Sequence, residues 1–276
     1  MLTLGDVLAR STAFLERKGV PSPRVDAEHL LGHALDLQRI ELYMHLDRPL
    51  TDDEVTRARA LVSRRGSREP LQYVLASWGF RRLTLTVDRR ALIPRPETET
   101  LVERALALIA GCPSPRVLDV GTGSGAIALA IADEWPEAQV TGIDVSADAL
   151  ALAAENRRSL GLRVELVERD LRHGLLPGPW DLVVANPPYV RRDETPALAP
   201  EIRDWEPEAA LFGEGLHELI AELALPELAP GGAVALEVGD GQAGPVARAL
   251  FDTGYVEVEI TPDLAGRDRV VEGRRG

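Results

Sequence analysis

A doubly wound α/β domain on a mostly parallel sheet, with a small helical domain ahead of it, is the fold this sequence predicts. Short apolar strands alternate with helical stretches beyond residue 93, whereas before residue 77 the apolar residues recur at helical spacing and are interrupted by prolines. A glycine-rich turn joins the first of those strands directly to a helix. At 276 residues the chain exceeds the usual ~100–150-residue domain, so two unequal domains are expected.

Residues 1–77 make the first. Leu4, Val7, Leu8 and Leu15, then Leu30, Leu31, Ala34 and Leu35, fall on helix faces, and Pro21, Pro23 and Pro49 separate the segments. Thr51 followed by Asp52, Asp53 and Glu54 predicts a helix start, because a threonine oxygen can accept from a free backbone N–H and acids suit the positive end of the helix dipole. That helix is expected to reach about Arg65. Residues 78–80 and 83–87 alternate with period two and predict a β-hairpin, read as a linker over residues 78–92. From 93 to 276 the pattern is strand, turn, helix, with five strands expected at 116–120, 139–143, 163–167, 180–185 and 233–238. Strands this apolar are covered on both faces, which with helical crossovers specifies a parallel sheet.

Hydrophobic content of 45% against 27% charged residues is ordinary for a globular chain, and no apolar run approaches the ~20 residues of a membrane span, so a soluble protein with no membrane partner is expected. The N-terminal residues have neither the basic stretch nor the apolar core of a secretory signal, and Asp6 and Glu16 speak against a transit peptide, which predicts a cytoplasmic location. Cys112 is the sole cysteine and the five histidines are scattered, so neither a disulfide nor a metal cluster is expected. Charge is uneven. Residues 1–90 carry 15 basic against 12 acidic side chains, and residues 91–276 carry 16 against 32, so the net charge of −13 resides in the second part. Phosphate-backbone affinity comes from cations displacing counterions, so an extended nucleic-acid contact is not expected.

Gly121-Thr122-Gly123-Ser124-Gly125 follows the first strand and opens a helix at 126–135, where doubly wound sheets hold an adenosine-containing ligand. Glycine lets the backbone approach the ligand and take conformations other residues avoid. Asp144, 23 positions after Gly121, stands where an acid accepts hydrogen bonds from ribose hydroxyls. Asp170 and Leu171, past the third strand, fall beside an adenine ring, although Asp170 is equally readable as a loop cap. Gly121, Gly123 and Ala126 also satisfy a nicotinamide-dinucleotide fingerprint, which keeps a dehydrogenase as an alternative at this point.

Asn186-Pro187-Pro188-Tyr189 ends the fourth strand, beside that turn. Two consecutive prolines remove two backbone donors and stiffen the chain, leaving the Pro187 carbonyl as a directed acceptor. With the Asn186 side-chain oxygen it could hold both hydrogens of a planar NH₂ group and set the nitrogen against a sulfonium methyl, with Tyr189 packed on the substrate plane. Hydride transfer has no use for paired acceptors here. The catalytic candidates are therefore Asn186, Pro187 and Tyr189, and Pro188 completes the substrate loop.

At these residues the chain resembles the protein glutamine methyltransferases that modify bacterial peptide-chain release factors, the HemK or PrmC group. The resemblance also takes in Glu69-Pro70-Leu71-Gln72-Tyr73, Leu92-Ile93-Pro94-Arg95-Pro96-Glu97-Thr98-Glu99, Glu206-Pro207 and Asp263-Leu264-Ala265-Gly266-Arg267-Asp268-Arg269. It implies a Rossmann-like methyltransferase domain, S-adenosylmethionine as cofactor, and as substrate the glutamine of a release factor's Gly-Gly-Gln loop, methylated on its amide nitrogen. It implies cofactor contacts from the turn 121–125, Asp144, Leu171 and Asn186, and glutamine contacts from Asn186 to Tyr189. Leu171 stands where some relatives carry an aromatic residue, and Ala76 replaces a glycine common before the hairpin. Glu97 and Glu99 read either as acids of a helix start after Pro96 or as lining of the site. The mildly basic helical domain is expected to dock the release factor. The rivals are a nucleic-acid adenine or guanine amino methyltransferase, disfavoured by the acidic second part because base flipping wants a cationic groove, and an inactive cofactor-binding protein, disfavoured by the intact Asn186 and Tyr189.

Overall fold

The structure, a computed structural model, describes residues 2–276. The chain forms two compact units, one comprising residues up to Ser77 together with Ala199–Trp205, the other Trp78–Leu198 with Glu206–Gly276.

The first unit contains α1 (Leu4–Arg17), α2 (Pro23–Leu35), α3 (Arg39–Met44), α4 (Asp52–Gly66) and α5 (Leu71–Leu75). Thr3 with Asp6 and Thr51 with Glu54 form reciprocal caps that start α1 and α4. Leu4, Leu8, Leu15, Leu30 and Leu31 are buried at its centre. Three acids of this unit, Asp26, Glu28 and Glu69, are buried, and each is paired, Glu69 with Arg64 at 2.6 and 3.0 Å, since a lone carboxylate away from water is costly. Glu28 accepts from Arg24 and Arg39, each at 2.6 Å, and Asp26 accepts from Arg65 Nε at 2.7 Å. Arg65 also pairs with Glu201 at 2.9 Å, and Arg68 meets the same carboxylate at 2.6 and 2.7 Å. Those pairs hold the segment 199–205 in this unit, although in sequence it lies deep within the stretch 93–276 expected as one domain.

The second unit holds the hairpin β1 (Ser77–Phe80) and β2 (Leu83–Thr86), then α6 (Thr98–Ile109), β3 (Arg116–Val120), α7 (Ala126–Glu134), β4 (Gln139–Asp144), α8 (Ala147–Leu160), β5 (Val164–Glu168) and β6 (Trp180–Ala185). Beyond α9 (Pro200–Arg203), a single turn of the other unit, come α10 (Leu216–Ala224), β7 (Leu228–Glu237), α11 (Ala243–Thr253), β8 (Tyr255–Pro262) and β9 (Asp268–Arg275). The main sheet has the order β5-β4-β3-β6-β7-β9-β8, with β3 to β7 parallel and β9 antiparallel to both neighbours. Two strands are thus added to the five expected, and β7 begins at Leu228, ahead of the expected start at residue 233. The chain leaves β3 toward β5 and returns to the other side of β3 with β6, so the crevice where such sheets take ligands lies at the carboxyl ends of β3 and β6. Behind it, Leu118, Val183, Val234 and Leu236 of the sheet pack with Ile220 of α10 and Leu250 of α11.

The hairpin expected as a linker is bonded into the second unit. Asn156, buried on α8, accepts from Thr86 N at 2.7 Å and donates to Thr86 O at 3.1 Å and Ser124 O at 3.0 Å. One side chain therefore ties β2 to the glycine turn. Asn156→Ala is expected to lower unfolding free energy by about 2–4 kcal/mol, because several polar groups lose their partner together; a urea midpoint equal to the parent's would show that the amide is dispensable. No helix among the described residues is long and apolar enough to cross a membrane.

Candidate active site

The glycine turn needs its glycines for conformation. Gly121 has φ +74° and Gly123 φ +55°, a region L side chains rarely adopt, while an added Cβ would meet nothing within 4 Å at Gly121 and only ordinary contacts, Ala91 Cβ at 3.8 Å and Gly121 O at 3.9 Å, at Gly123. Gly121 N and Thr122 N both donate to Ile143 O, at 2.8 and 2.9 Å, tying the turn to β4. Asp144, ending β4, accepts from Gly123 N on Oδ2 and from Ser146 N on Oδ1, each at 2.9 Å. The acid expected to meet a ribose is thus also the clamp of the turn. Asp119, one residue before the end of β3, is a buried acid that holds the turn from beneath. It accepts from Thr122 Oγ1 at 2.6 Å and Ala128 N at 3.2 Å, and burial pushes its carboxyl up to about 7.

A cavity of about 420 Å³ opens at this crevice, within the range of small-ligand sites. Gly121, Thr122, Gly123, Ser124 and Asp144 line one end, and Asp170 and Leu171 line it further along. Gly125 is outside the wall and caps α7. Asp170 caps the short helical turn Leu171–His173 by accepting from Arg172 N at 2.9 Å, and the Arg172 guanidinium holds its carboxyl low, at about 2. It is therefore a loop cap that also faces the cavity. Val145, not singled out in the sequence, lines the same region at 58% exposed, an apolar surface open to the cavity.

Asn186, Pro187 and Pro188 line the same cavity, on the loop that follows β6 beside β3. Asn186 Nδ2 donates to Thr98 Oγ1, at the start of α6, at 3.2 Å. Among the described residues no hydrogen bond ends on Asn186 Oδ1 or on the Pro187 carbonyl. Tyr189 differs from expectation. Its ring lies outside the cavity wall against Gly239, where a Cβ would come within 2.9 Å of the ring, and its carbonyl accepts from Gln242 Nε2 at 3.1 Å. Burial pushes the Tyr189 hydroxyl up to about 12, with the Glu237 charge adding to the effect. The aromatic ring supports the loop from behind because its apolar faces find packing there.

Two separated segments of the resemblance meet at the cavity. Arg95 Nη2 donates to Glu206 Oε2 at 2.6 Å, and burial raises the Glu206 carboxyl to about 6 against that ion pair. Glu99 accepts from Arg81 N at 3.0 Å, fixing a hairpin turn whose Arg81 has φ +52°, so of the acid pair Glu99 is structural. Glu97 is exposed and makes no cap bond. Glu237, closing β7, is 1% exposed and burial pushes its carboxyl up to about 7, opposed by the nearby Thr98 hydroxyl and Arg269 guanidinium. No spacing in the sequence announces Thr98 or Glu237 as neighbours of Asn186.

Comparison with known proteins fits this geometry. The profile of the PrmC N-terminal domain matches residues 6–75, and that of the methyltransferase small domain residues 98–204. The release factor glutamine methyltransferase of Geobacter sulfurreducens is 43% identical over 99% of this chain and 97% of its own, and that of Deinococcus radiodurans 43% identical over 99% of each. A solved methyltransferase from Pyrococcus furiosus, 19% identical, shares the fold with a TM-score of 0.51 over 70% of this chain and 88% of its own. With full-length identity at that level and the crevice, glycine turn and Asn-Pro-Pro-Tyr loop in place, the chain belongs to the release factor glutamine methyltransferases.

Proposed function

We propose that the protein methylates the side-chain amide nitrogen (N5) of the glutamine in the Gly-Gly-Gln loop of peptide-chain release factors, with S-adenosylmethionine as methyl donor. The observation that carries the reading is that Asn186 and Pro187 line the same cavity as the glycine turn and Asp144, with Asn186 Oδ1 and the Pro187 carbonyl both uncommitted. When bound, S-adenosylmethionine supplies an electrophilic methyl on a positively charged sulfur. The residues present fit it. Gly121 and Gly123 keep the backbone bare, the Asp144 carboxylate retains lone pairs for ribose hydroxyls beyond the two it spends on the turn, and Val145 and Leu171 offer apolar surface to a flat ring.

A glutamine amide is a weak nucleophile because its lone pair is delocalised into the carbonyl. Two acceptors held on a rigid loop can take its two hydrogens and fix the nitrogen in one orientation. Positioning of this kind accounts for up to ~7–11 kcal/mol of barrier in well-oriented reactions. Asn186 and Pro187 are neutral acceptors, which suits an amide that releases its proton only after alkylation. A protein substrate agrees with the net charge of −13, which makes a poor footprint for long phosphate contacts, and a cytoplasmic setting goes with release factors.

Mass spectrometry of a purified release factor incubated with the protein and S-adenosylmethionine tests this. One added methyl on the loop glutamine is expected. An unmodified glutamine, or methyl on another residue, would remove the proposed substrate.

A further inference from the structure

We propose that Arg95 holds the backbone of the substrate loop by donating to a glycine carbonyl of its Gly-Gly-Gln sequence, and that Glu206 is the positioning residue that aims it. The inference rests on the function proposed above and deepens it, since it concerns how a protein, rather than a free glutamine, is recognised. The loop glycines have no side chains, so what they offer a partner is backbone N–H and C=O, and a carbonyl asks for a donor. The Asn186 oxygen and the Pro187 carbonyl are acceptors and cannot supply one.

Four arginines, Arg90, Arg95, Arg169 and Arg172, line the cavity, and their hydrogen bonds set one apart. Arg90 gives all three guanidinium nitrogens to Asp88 and Glu155, at 2.7–3.1 Å. Arg169 bonds the carbonyls of Gly174, His173 and Leu175, and Arg172 is bidentate on Asp170, so both are committed beside Asp170 and Leu171. Arg95 donates only from Nη2, to Glu206. Among the described residues neither its Nε nor its Nη1 makes a hydrogen bond. The Arg95 backbone carbonyl accepts from Thr98 N at 3.1 Å, and Thr98 Oγ1 accepts from Asn186 Nδ2 at 3.2 Å. The uncommitted guanidinium is thus rooted one turn from the residue that bonds Asn186.

Glu206 is placed to restrain that guanidinium. Its side chain is 1% exposed, it meets Arg95 Nη2 at 2.6 Å, and its Oε1 has no partner, a costly arrangement that an apolar residue of similar size would avoid. What the acid adds is direction, because holding Nη2 limits where the planar fork can present Nε and Nη1. It also cancels charge. At neutral pH the Glu206 carboxyl, near 6, is mostly ionised, so the pair is close to neutral and suits a neutral carbonyl better than the cofactor's own carboxylate. The oxygen of the reacting amide is a poor partner too, since a cation bound there would draw the nitrogen lone pair further into the carbonyl and oppose methylation. A backbone carbonyl next to the glutamine has no such drawback. Glu206 does not line the cavity, so it acts on the substrate through Arg95.

Arg95→Met combined with Glu206→Leu leaves no buried charge without its partner, so the double variant is expected to fold even where Arg95→Met alone does not. In it, KM for a release factor should rise roughly ten- to a hundredfold, the worth of a hydrogen bond from a charged donor. Turnover at saturation and the dissociation constant for S-adenosylmethionine should each stay within about twofold, the signature of a contact made equally before and during the reaction step. Glu206→Leu alone should raise KM as well, by a smaller factor. A release factor assembled by ligation with thioamides at both loop glycines, weaker acceptors than amides, should show a raised KM with the parent and no further rise with the double variant. Parent-like KM in the double variant, or in Glu206→Leu, would overturn the inference, as would a thioamide effect of equal size in parent and double variant. A tenfold loss of S-adenosylmethionine affinity would also overturn it and assign Arg95 to the cofactor's carboxylate, and a fall in turnover with KM unchanged would assign it to the reacting amide. If the parent protein leaves the release factor unmethylated, the substrate assignment fails, while the dissociation constants of release factor from parent and double variant, each with S-adenosylhomocysteine bound, still decide whether Arg95 holds the loop.

Discussion

Asn186→Ala is expected to lower turnover by roughly 10²–10³-fold, the loss seen when one preorganised group that acts on a reacting centre is removed. Asn186 Oδ1 receives no hydrogen bond among the described residues and belongs to a side chain that lines the cavity, whereas Pro187 offers that cavity only its backbone carbonyl. Cofactor affinity should change far less, because the glycine turn and Asp144 keep their own hydrogen bonds, none of which involves Asn186. Single-turnover methylation with saturating S-adenosylmethionine, set beside a direct titration of the cofactor, separates the two quantities. Equal losses in both would make Asn186 chiefly a cofactor ligand and leave the Pro187 carbonyl alone to orient the amide.

The residues that line the cavity differ in how far they could be read without coordinates. Everything written in contiguous residues was legible: the strand, glycine turn and helix at 116–135, the acid ending the next strand, and the proline-stiffened loop after β6. Local chemistry sets those features. Thr98 and Asn186 are 88 positions apart and come together only because α6 begins beside the end of β6, so no local pattern marks them as a pair. Tyr189 was misplaced for a similar reason, since the residue that receives its ring, Gly239, lies beyond β7. The C-terminal strands are another matter. Val256, Val258 and Ile260 alternate with Glu257 and Glu259, a period-two signal present in the sequence, but β9 is rich in charge, and Glu272 is buried there only because Arg104 of α6 reaches it at 2.9 Å. The segment 199–205 joins the helical unit through arginine pairs to a glutamate whose partners sit more than a hundred residues earlier in the chain.

Asp144→Ala should weaken S-adenosylmethionine binding by on the order of 10²-fold, since hydrogen bonds to a charged acceptor contribute about 1.5–3 kcal/mol each. The carboxylate has two duties. It would accept from a ribose hydroxyl, and it already fixes Gly123 N and Ser146 N at 2.9 Å, so its removal both deletes a contact and loosens the turn that holds the rest of the ligand. Asp144→Asn separates charge from shape. Both carboxylate oxygens face backbone N–H groups, so an amide must set its NH₂ against one of them, a donor opposed to a donor. The asparagine variant is therefore expected to bind little better than the alanine one, although it differs from the parent by a single group. Calorimetric titration distinguishes the cases: an asparagine variant with parent-like affinity would mean that the turn holds its shape without the carboxylate, and an unchanged constant in the alanine variant would take Asp144 out of cofactor binding.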